Sequence, residues 1–299
     1  MVYGLGMAKK FGLLDGWTAY YFGNMEEWCD GIAPNSLHIT HKVKPDYVVI
    51  GEPTRMQIFR GHRGRIELKC VTKGKACHAS MPWLGDNAVY KMNPFIKSVE
   101  ELGPKIHEDK FLGRGTCVVS IIRCDSPSIN AVPDRCVVYL DRRMTFGETK
   151  ESVLKELRAL NGADAVDIQE MLYKTPSYTK FVFEVDKYFP AWCMSEDHPI
   201  VQAGVSTRKA LGFDKKYPFP DDLKKKYPEA YAESKQDTFR WDFSTNAIYW
   251  AGKANIPCIG FSPSNEIYAH TIEDQCPLQE AVDATAFYAM FPKILKSKI

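Results

Sequence analysis

Val48-Val-Ile-Gly51-Glu52-Pro53-Thr54, continued by Gly64-Arg-Ile-Glu-Leu-Lys69 and by Lys75-Ala-Cys-His78-Ala-Ser-Met-Pro82-Trp-Leu-Gly85-Asp-Asn87-Ala88, decides how this chain folds. The first segment reads as a short apolar strand that delivers a carboxylate at its C-terminal end. The second starts a new strand and carries a histidine into a loop punctuated by Gly and Pro. A strand as apolar as Tyr47-Val-Val-Ile50 is expected to be buried on both faces. Glu52, just past its carboxyl end, then lies where open α/β sheets bind ligands. The alternative for Glu52 is a helix cap or an exposed loop carboxylate.

Outward from this stretch, two further apolar segments end in the same way. Thr18-Ala-Tyr-Tyr-Phe22 reads as a strand followed by Glu26-Glu27, and Ile256-Pro-Cys-Ile-Gly-Phe261 as one followed by His270. Three strand ends, each followed by a carboxylate or an imidazole, form a donor set with the ligand chemistry of zinc. Because neighbouring residues on a strand face opposite sides, Glu26 and Glu27 converge on one site only if the backbone turns there, which Gly23 and Gly31 permit.

Between Gly64 and Tyr173 the periodicities give strand 65–72, helix 87–101, strands 116–123 and 135–142, helix 148–160 and strand 165–172. This βαββαβ order is that of a ferredoxin-like unit. It divides the chain into an inserted domain, 62–177, and a flanking α/β domain made of 1–61 and 178–299. In the flanking domain residues 1–14 read as an amphipathic helix with Leu5, Met7, Phe11 and Leu14 inward, and Gly16 closing it. Tyr188-Phe-Pro-Ala-Trp192 is expected to pack on the core. Helices are expected over 199–211 and from Leu278 onward, and the Lys- and Pro-rich stretch 215–228 reads as a solvated surface insertion.

The 299 residues suffice for one large or two medium domains. Thirty-nine basic against thirty-seven acidic residues give no reason to expect nucleic acid or an anionic membrane as partner. No apolar run reaches the length of a membrane span and no signal-peptide pattern opens the chain, so the expectation is a cytoplasmic protein. Its nine cysteines fit, being odd in number, without a Cys-x-x-Cys, and set in part inside apolar strands. His38 and His41 have a His-x-x-His spacing but no third ligand nearby, and read as loop surface, as do His62 and His107.

The ordered set Glu26-Glu27, Gly51-Glu-Pro-Thr54, Gly74-x-x-x-His78-x-Ser-x-Pro82-x-x-Gly85-x-Asn87-Ala88, Asn130-x-x-Pro133, Asp141-x-Arg143 and Ala269-His270 resembles the M20 metallopeptidases. These are the dinuclear zinc amidohydrolases that include aminoacylase, acetylornithine deacetylase and succinyl-diaminopimelate desuccinylase. Glu-Glu-x-Cys29-Asp-Gly31 and Asp242-Phe-Ser-Thr-Asn246 are most similar to the branch of selenium-metabolism-linked hydrolases.

The resemblance implies an α/β catalytic domain of the zinc-peptidase kind, with the ferredoxin-like insert as lid and dimerisation domain. It implies two zinc ions per site, with cobalt or manganese as alternatives, and a homodimer formed through the lid. The substrate would be a small peptide or an N-acyl amino acid, cut at an amide beside a carboxylate. Two such cations share a water, lower its pKa and polarise the carbonyl.

By the same resemblance Glu26 is the general base, and Glu27, Glu52 and His270 are metal ligands. His78 stabilises the oxyanion in a neighbouring subunit's site, while Asn130, Arg143, Ser244 and Thr245 bind substrate. Arg143 could instead pair with a carboxylate of the lid. Two departures stand out. Ser262-Pro-Ser264 replaces a Gly-Pro-Gly loop, and a helix at Met1 implies that the family's earlier segment, with its His-x-Asp motif and bridging Asp, is missing. On three ligands alone a metal pair is expected to bind poorly and activity to be weak. The alternatives are a degenerate homologue serving as a dimerising or ligand-binding module, or one half of a split enzyme.

Overall fold

The computed structural model describes residues 1–24 and 32–299, so Glu26 and Glu27 lie outside the described residues. In chain order the elements are α1 (Val2–Lys10), α2 (Ile32–Ile39), β1 (Val48–Ile50), β2 (Ile58–His62), β3 (Gly64–Lys73), α3 (Ala88–Leu102), β4 (Glu108–Asp109), β5 (Gly113–Arg114), β6 (Thr116–Asp125) and β7 (Arg135–Met144). There follow α4 (Lys150–Arg158), β8 (Asp167–Glu170), β9 (Leu172–Tyr173), β10 (Val185–Asp186), β11 (Tyr188–Phe189), β12 (Trp192–Cys193), α5 (Pro199–Ala210), α6 (Phe213–Lys216), α7 (Asp221–Lys226), α8 (Pro228–Ala232), β13 (Thr238–Trp241), β14 (Cys258–Gly260) and α9 (Leu278–Lys296). The chain is mixed α/β and divides into two compact units, residues 1–62, 110–112 and 192–299 forming one and residues 63–109 and 113–191 the other.

In the second unit β3, β7, β6 and β8 form one antiparallel sheet in the order β8-β3-β7-β6, with the two-residue β11 also on β3. That spatial order is the one the βαββαβ periodicity predicts. Alternation along β3 turns Ile66, Leu68 and Cys70 inward, where they meet Met92, Phe95 and Val99 of α3 and Val153 and Leu157 of α4. Both helices start on side-chain caps. Asn87 accepts the amides of Val89 and Tyr90, and Thr149 and Ser152 cap each other reciprocally.

The first unit is built on β1 and β14, which run parallel, with β2 antiparallel to β14 and β12 and parallel to β13. Gly260 is required here, since a Cβ would stand 2.0 Å from the Trp241 ring. Helices α5 and α9 bury Ile200, Val201, Phe287 and Phe291 in the core beside Phe261, and the Phe261 and Phe287 rings stack at 3.6 Å.

Four expectations for this unit are corrected. Residues 17–24 form no strand, and Tyr20, Tyr21 and Phe22 are exposed, because no ladder pairs the backbone there. Helix α1 turns Gly4 and Ala8 inward and leaves Met7 and Phe11 exposed. At Gly4 the helix comes so close to α9 that a Cβ would meet the Thr285 carbonyl and the Tyr288 Cβ at 2.7 Å each. The stretch 215–228 is not a solvated loop: Phe219 and Leu223 are buried against Phe239 and Trp241. Tyr47 and Val48–Val49 are half-buried, with only Ile50 fully inside.

Candidate functional site

Two of the three expected metal ligands, Glu52 and His270, follow two strands of the first unit, while Glu27 lies outside the described residues. Because β1 and β14 are parallel neighbours, Glu52 and the segment leading to His270 emerge from adjacent carboxyl ends. The loops are then joined. Thr54 Oγ1 accepts the Ser262 amide at 2.9 Å and donates to the Ser262 carbonyl at 3.0 Å, while the Arg55 amide donates to the Ser264 carbonyl at 2.8 Å. Arg55 Nε pairs with Glu266 at 3.1 Å, and the Trp241 indole donates to the Pro53 carbonyl at 2.9 Å.

Backbone strain gathers in the same place. Arg55, Met56, Ser264 and His270 all have positive φ, between 53° and 68°. Such conformations cost about 1–3 kcal/mol each and persist where the surroundings impose them. Ser264 occupies a conformation that suits glycine, and the Glu280 carboxylate accepts its amide at 3.0 Å. His270 is exposed and Glu52 half-buried. Among the described residues no three His, Cys, Asp or Glu side chains converge, so Glu52 and His270 do not by themselves complete a metal centre.

Ser244 and Thr245 are buried behind this region. The Thr245 amide donates to Nε2 of His62 at 3.3 Å, and its hydroxyl accepts the Ala247 amide at 3.1 Å. His62 is thus a core residue rather than a surface one: it is fully buried at the end of β2, its ring edge-on to Trp192 at 5.3 Å. Its setting could not be read from the sequence because Trp192 lies far along the chain. His38 also departs from its expected loop, since it lies on α2 and its Nδ1 meets the Tyr249 hydroxyl at 3.0 Å. Upstream of Ser244, Asp242 accepts Arg240 Nη1 at 2.7 Å and the Tyr227 hydroxyl, whose pKa is pushed up by burial and then by that carboxylate.

On the second unit His78 and Asn130 are brought together. His78 forms a β-bridge with Ala131, the Ala79 amide donates to the Asn130 carbonyl at 2.8 Å, and the Val132 amide to the Cys77 carbonyl at 2.9 Å. Both side chains are exposed. The His78 ring is held by Ser80, whose amide donates to Nδ1 at 3.2 Å and whose hydroxyl lies 2.7 Å from the same atom. Beside them runs an open groove of about 670 Å³, lined by Ala79, Pro82, Tyr90, Lys91, Ala131 and Pro133 among others.

Arg143 is not part of this cluster. It lies near the opposite end of β7, roughly 26 Å of strand beyond Arg135, and its fork is engaged by Asp141 at 2.7 and 3.0 Å. The eight cysteines among the described residues are free, and burial pushes the thiols of Cys70 and Cys117 up to about 12. No helix among the described residues is long and apolar enough to cross a membrane.

Comparison with known proteins bears on the family and the fold. The model of the peptidase dimerisation domain matches residues 60–168. The chain is 37% identical to the protein YgeY of Escherichia coli (strain K12) over 295 residues, covering 98% of this chain and 68% of that one. Among solved structures, an M20 family metallo-carboxypeptidase from Sulfolobus solfataricus superposes with a TM-score of 0.60 at 15% identity, over 90% of this chain and 68% of that one. A tripeptidase from Staphylococcus aureus gives 0.59 at 12% identity, over 89% of this chain and 61% of the tripeptidase, so the chain spans about three fifths of its length. Identity to YgeY along nearly the whole chain, the domain match and the shared fold lead to one conclusion: the chain belongs to the M20 family of peptidases and amidohydrolases.

Proposed function

We propose that the protein is a metal-dependent hydrolase of a peptide or N-acyl amide bond that stands beside a carboxylate. The observation that carries this reading is the joining of the loops after β1 and β14 through Thr54 and Ser262, which holds Glu52 and the approach to His270 at one end of the sheet. The unit of residues 1–62, 110–112 and 192–299 would be catalytic, and the other unit the lid. In the catalytic unit Glu27, Glu52 and His270 would bind zinc, or cobalt or manganese in its place, with Glu26 as general base. The name of the Sulfolobus relative, a metallo-carboxypeptidase, supports metal dependence.

His78 would donate to the oxyanion that forms in a neighbouring subunit's site when water attacks the amide, and Asn130, held beside it, would bind the same group. Ser244 and Thr245 would shape the substrate wall from behind, through the buried backbone. Arg143 would reach a substrate carboxylate only by giving up Asp141. A homodimer through the lid is supported by the match to a peptidase dimerisation domain and by β6, the outer strand of its sheet, which exposes Val118, Ile121 and Ile122.

A second reading is a dimerising or ligand-binding module without catalysis. Metal titration separates the two. The hydrolase reading expects zinc to bind and Glu52→Gln and His270→Ala each to weaken it at least tenfold, about the effect of losing one ligand interaction of 1.4 kcal/mol. It also expects zinc-dependent cleavage of N-acyl amino acids or dipeptides. Zinc affinity unaffected by both variants would remove Glu52 and His270 from the site.

A further inference from the structure

We propose that Ser80 is a positioning residue that fixes the tautomer of His78, so that the ring presents Nε2–H away from the loop. The inference rests on the reading of His78 as an oxyanion donor, but its geometry stands apart from that reading. A backbone amide can only donate. The Ser80 amide at 3.2 Å therefore requires a lone pair on Nδ1, and the hydroxyl at 2.7 Å donates to the same atom. In a neutral imidazole the proton then resides on Nε2.

The backbone around the ring is held on both sides. The bridge to Ala131, the Ala79 amide on the Asn130 carbonyl and the Met81 amide on the His78 carbonyl fix the Cα position. The exposed ring would otherwise turn about its side-chain torsions. Ser80 removes that freedom. Two donors on Nδ1 also polarise the ring, which strengthens Nε2–H as a donor to a developing negative charge. The spacing His-x-Ser is what lets one residue supply both contacts: the amide two positions on folds back over the ring, and the hydroxyl follows it.

The test is nitrogen NMR of the ¹⁵N-histidine-labelled chain, with His78 assigned by the signals lost in His78→Gln. The expected wild-type pattern is an unprotonated, acceptor-type Nδ1 and a protonated Nε2. Ser80→Ala removes the hydroxyl and keeps the amide, so it should move both signals part of the way toward the averaged values of a free ring, and Ser80→Thr should keep the wild-type pattern. In the metal-loaded protein Ser80→Ala should lower kcat about tenfold with KM unchanged, less than removal of the donor itself, and Ser80→Thr should restore it. A wild-type proton on Nδ1, or nitrogen signals unaffected by Ser80→Ala, would overturn the proposal. So would a Ser80→Ala kcat equal to wild type where His78→Ala is impaired. If His78→Ala itself turns over like wild type while the tautomer result holds, the oxyanion role is what fails and the pinning of the ring by Ser80 stands.

Discussion

Thr54 and Ser262 exchange two hydrogen bonds, the Thr54 hydroxyl accepting the Ser262 amide and donating to the Ser262 carbonyl. The pair ties the turn after Glu52 to the loop that leads to His270. Thr54 is fully buried, so no water replaces its hydroxyl. Thr54→Val keeps the shape and leaves the Ser262 amide without its acceptor, which should cost about 2 kcal/mol in urea unfolding. Metal affinity should fall with it. Unchanged stability would show that the loops are held by their other contacts.

Strand β6 forms the outer edge of the second unit's sheet and exposes Ile122. If copies of the chain associate there, a charge at that position must be desolvated at the interface. Ile122→Asp should then convert a dimer into a monomer in sedimentation at micromolar concentration, with the circular dichroism of the fold retained. A variant that stays dimeric would move the interface away from β6.

Phe219 is buried with its ring 5.1 Å from Tyr231 and 5.5 Å from Phe239. Phe219→Ala should destabilise the first unit by about 3 kcal/mol, the usual cost of emptying a buried aromatic site. A loss below about 0.5 kcal/mol, as for an exposed position, would return this stretch to the surface.

That stretch shows where the sequence stops being legible. Between Lys215 and Pro228 the lysines and prolines hide an apolar pair, Phe219 and Leu223, whose single four-residue spacing is too short a run to announce a helix. The second unit is legible because its two long helices repeat at 3.6 residues and start at Asn87 and Thr149, and because β3 alternates at 2. The proposed site falls between these cases. Glu52, His78 and Asn130 sit in ordered motifs, and the backbone contacts that join His78 to Asn130 belong to the second unit. The burial of His62 depends on Trp192, far along the chain, whereas the pairing of Arg143 with a carboxylate of its own unit is open in the sequence, Asp141 standing two residues away. For Thr18–Phe22 the apolar run misleads, since a strand exists only where a neighbour pairs with it.

Glu196 is nearly buried. Burial alone would raise its carboxyl pKa, but donors outweigh it: the Thr238 and Ser234 hydroxyls, the Lys235 amide at 3.0 Å and the charge of Arg60 hold it below the usual carboxylate range. A depressed folded pKa means that its stabilisation is fully present above the unfolded value of about 4.3 and is lost as pH falls through the folded value. Glu196→Gln should lower the urea midpoint at pH 7 and flatten its decline in acid. An equal acid decline in both proteins would show that other groups govern it.

The most direct measurement of the central claim is turnover of an N-acyl amino acid or dipeptide by the zinc-loaded protein and by His78→Ala, with zinc content determined on the same samples. The account predicts a loss in kcat of about 100-fold or more with zinc content unchanged, because His78 donates to the oxyanion and holds no metal. Zinc lost in parallel with activity, or activity retained, would contradict it.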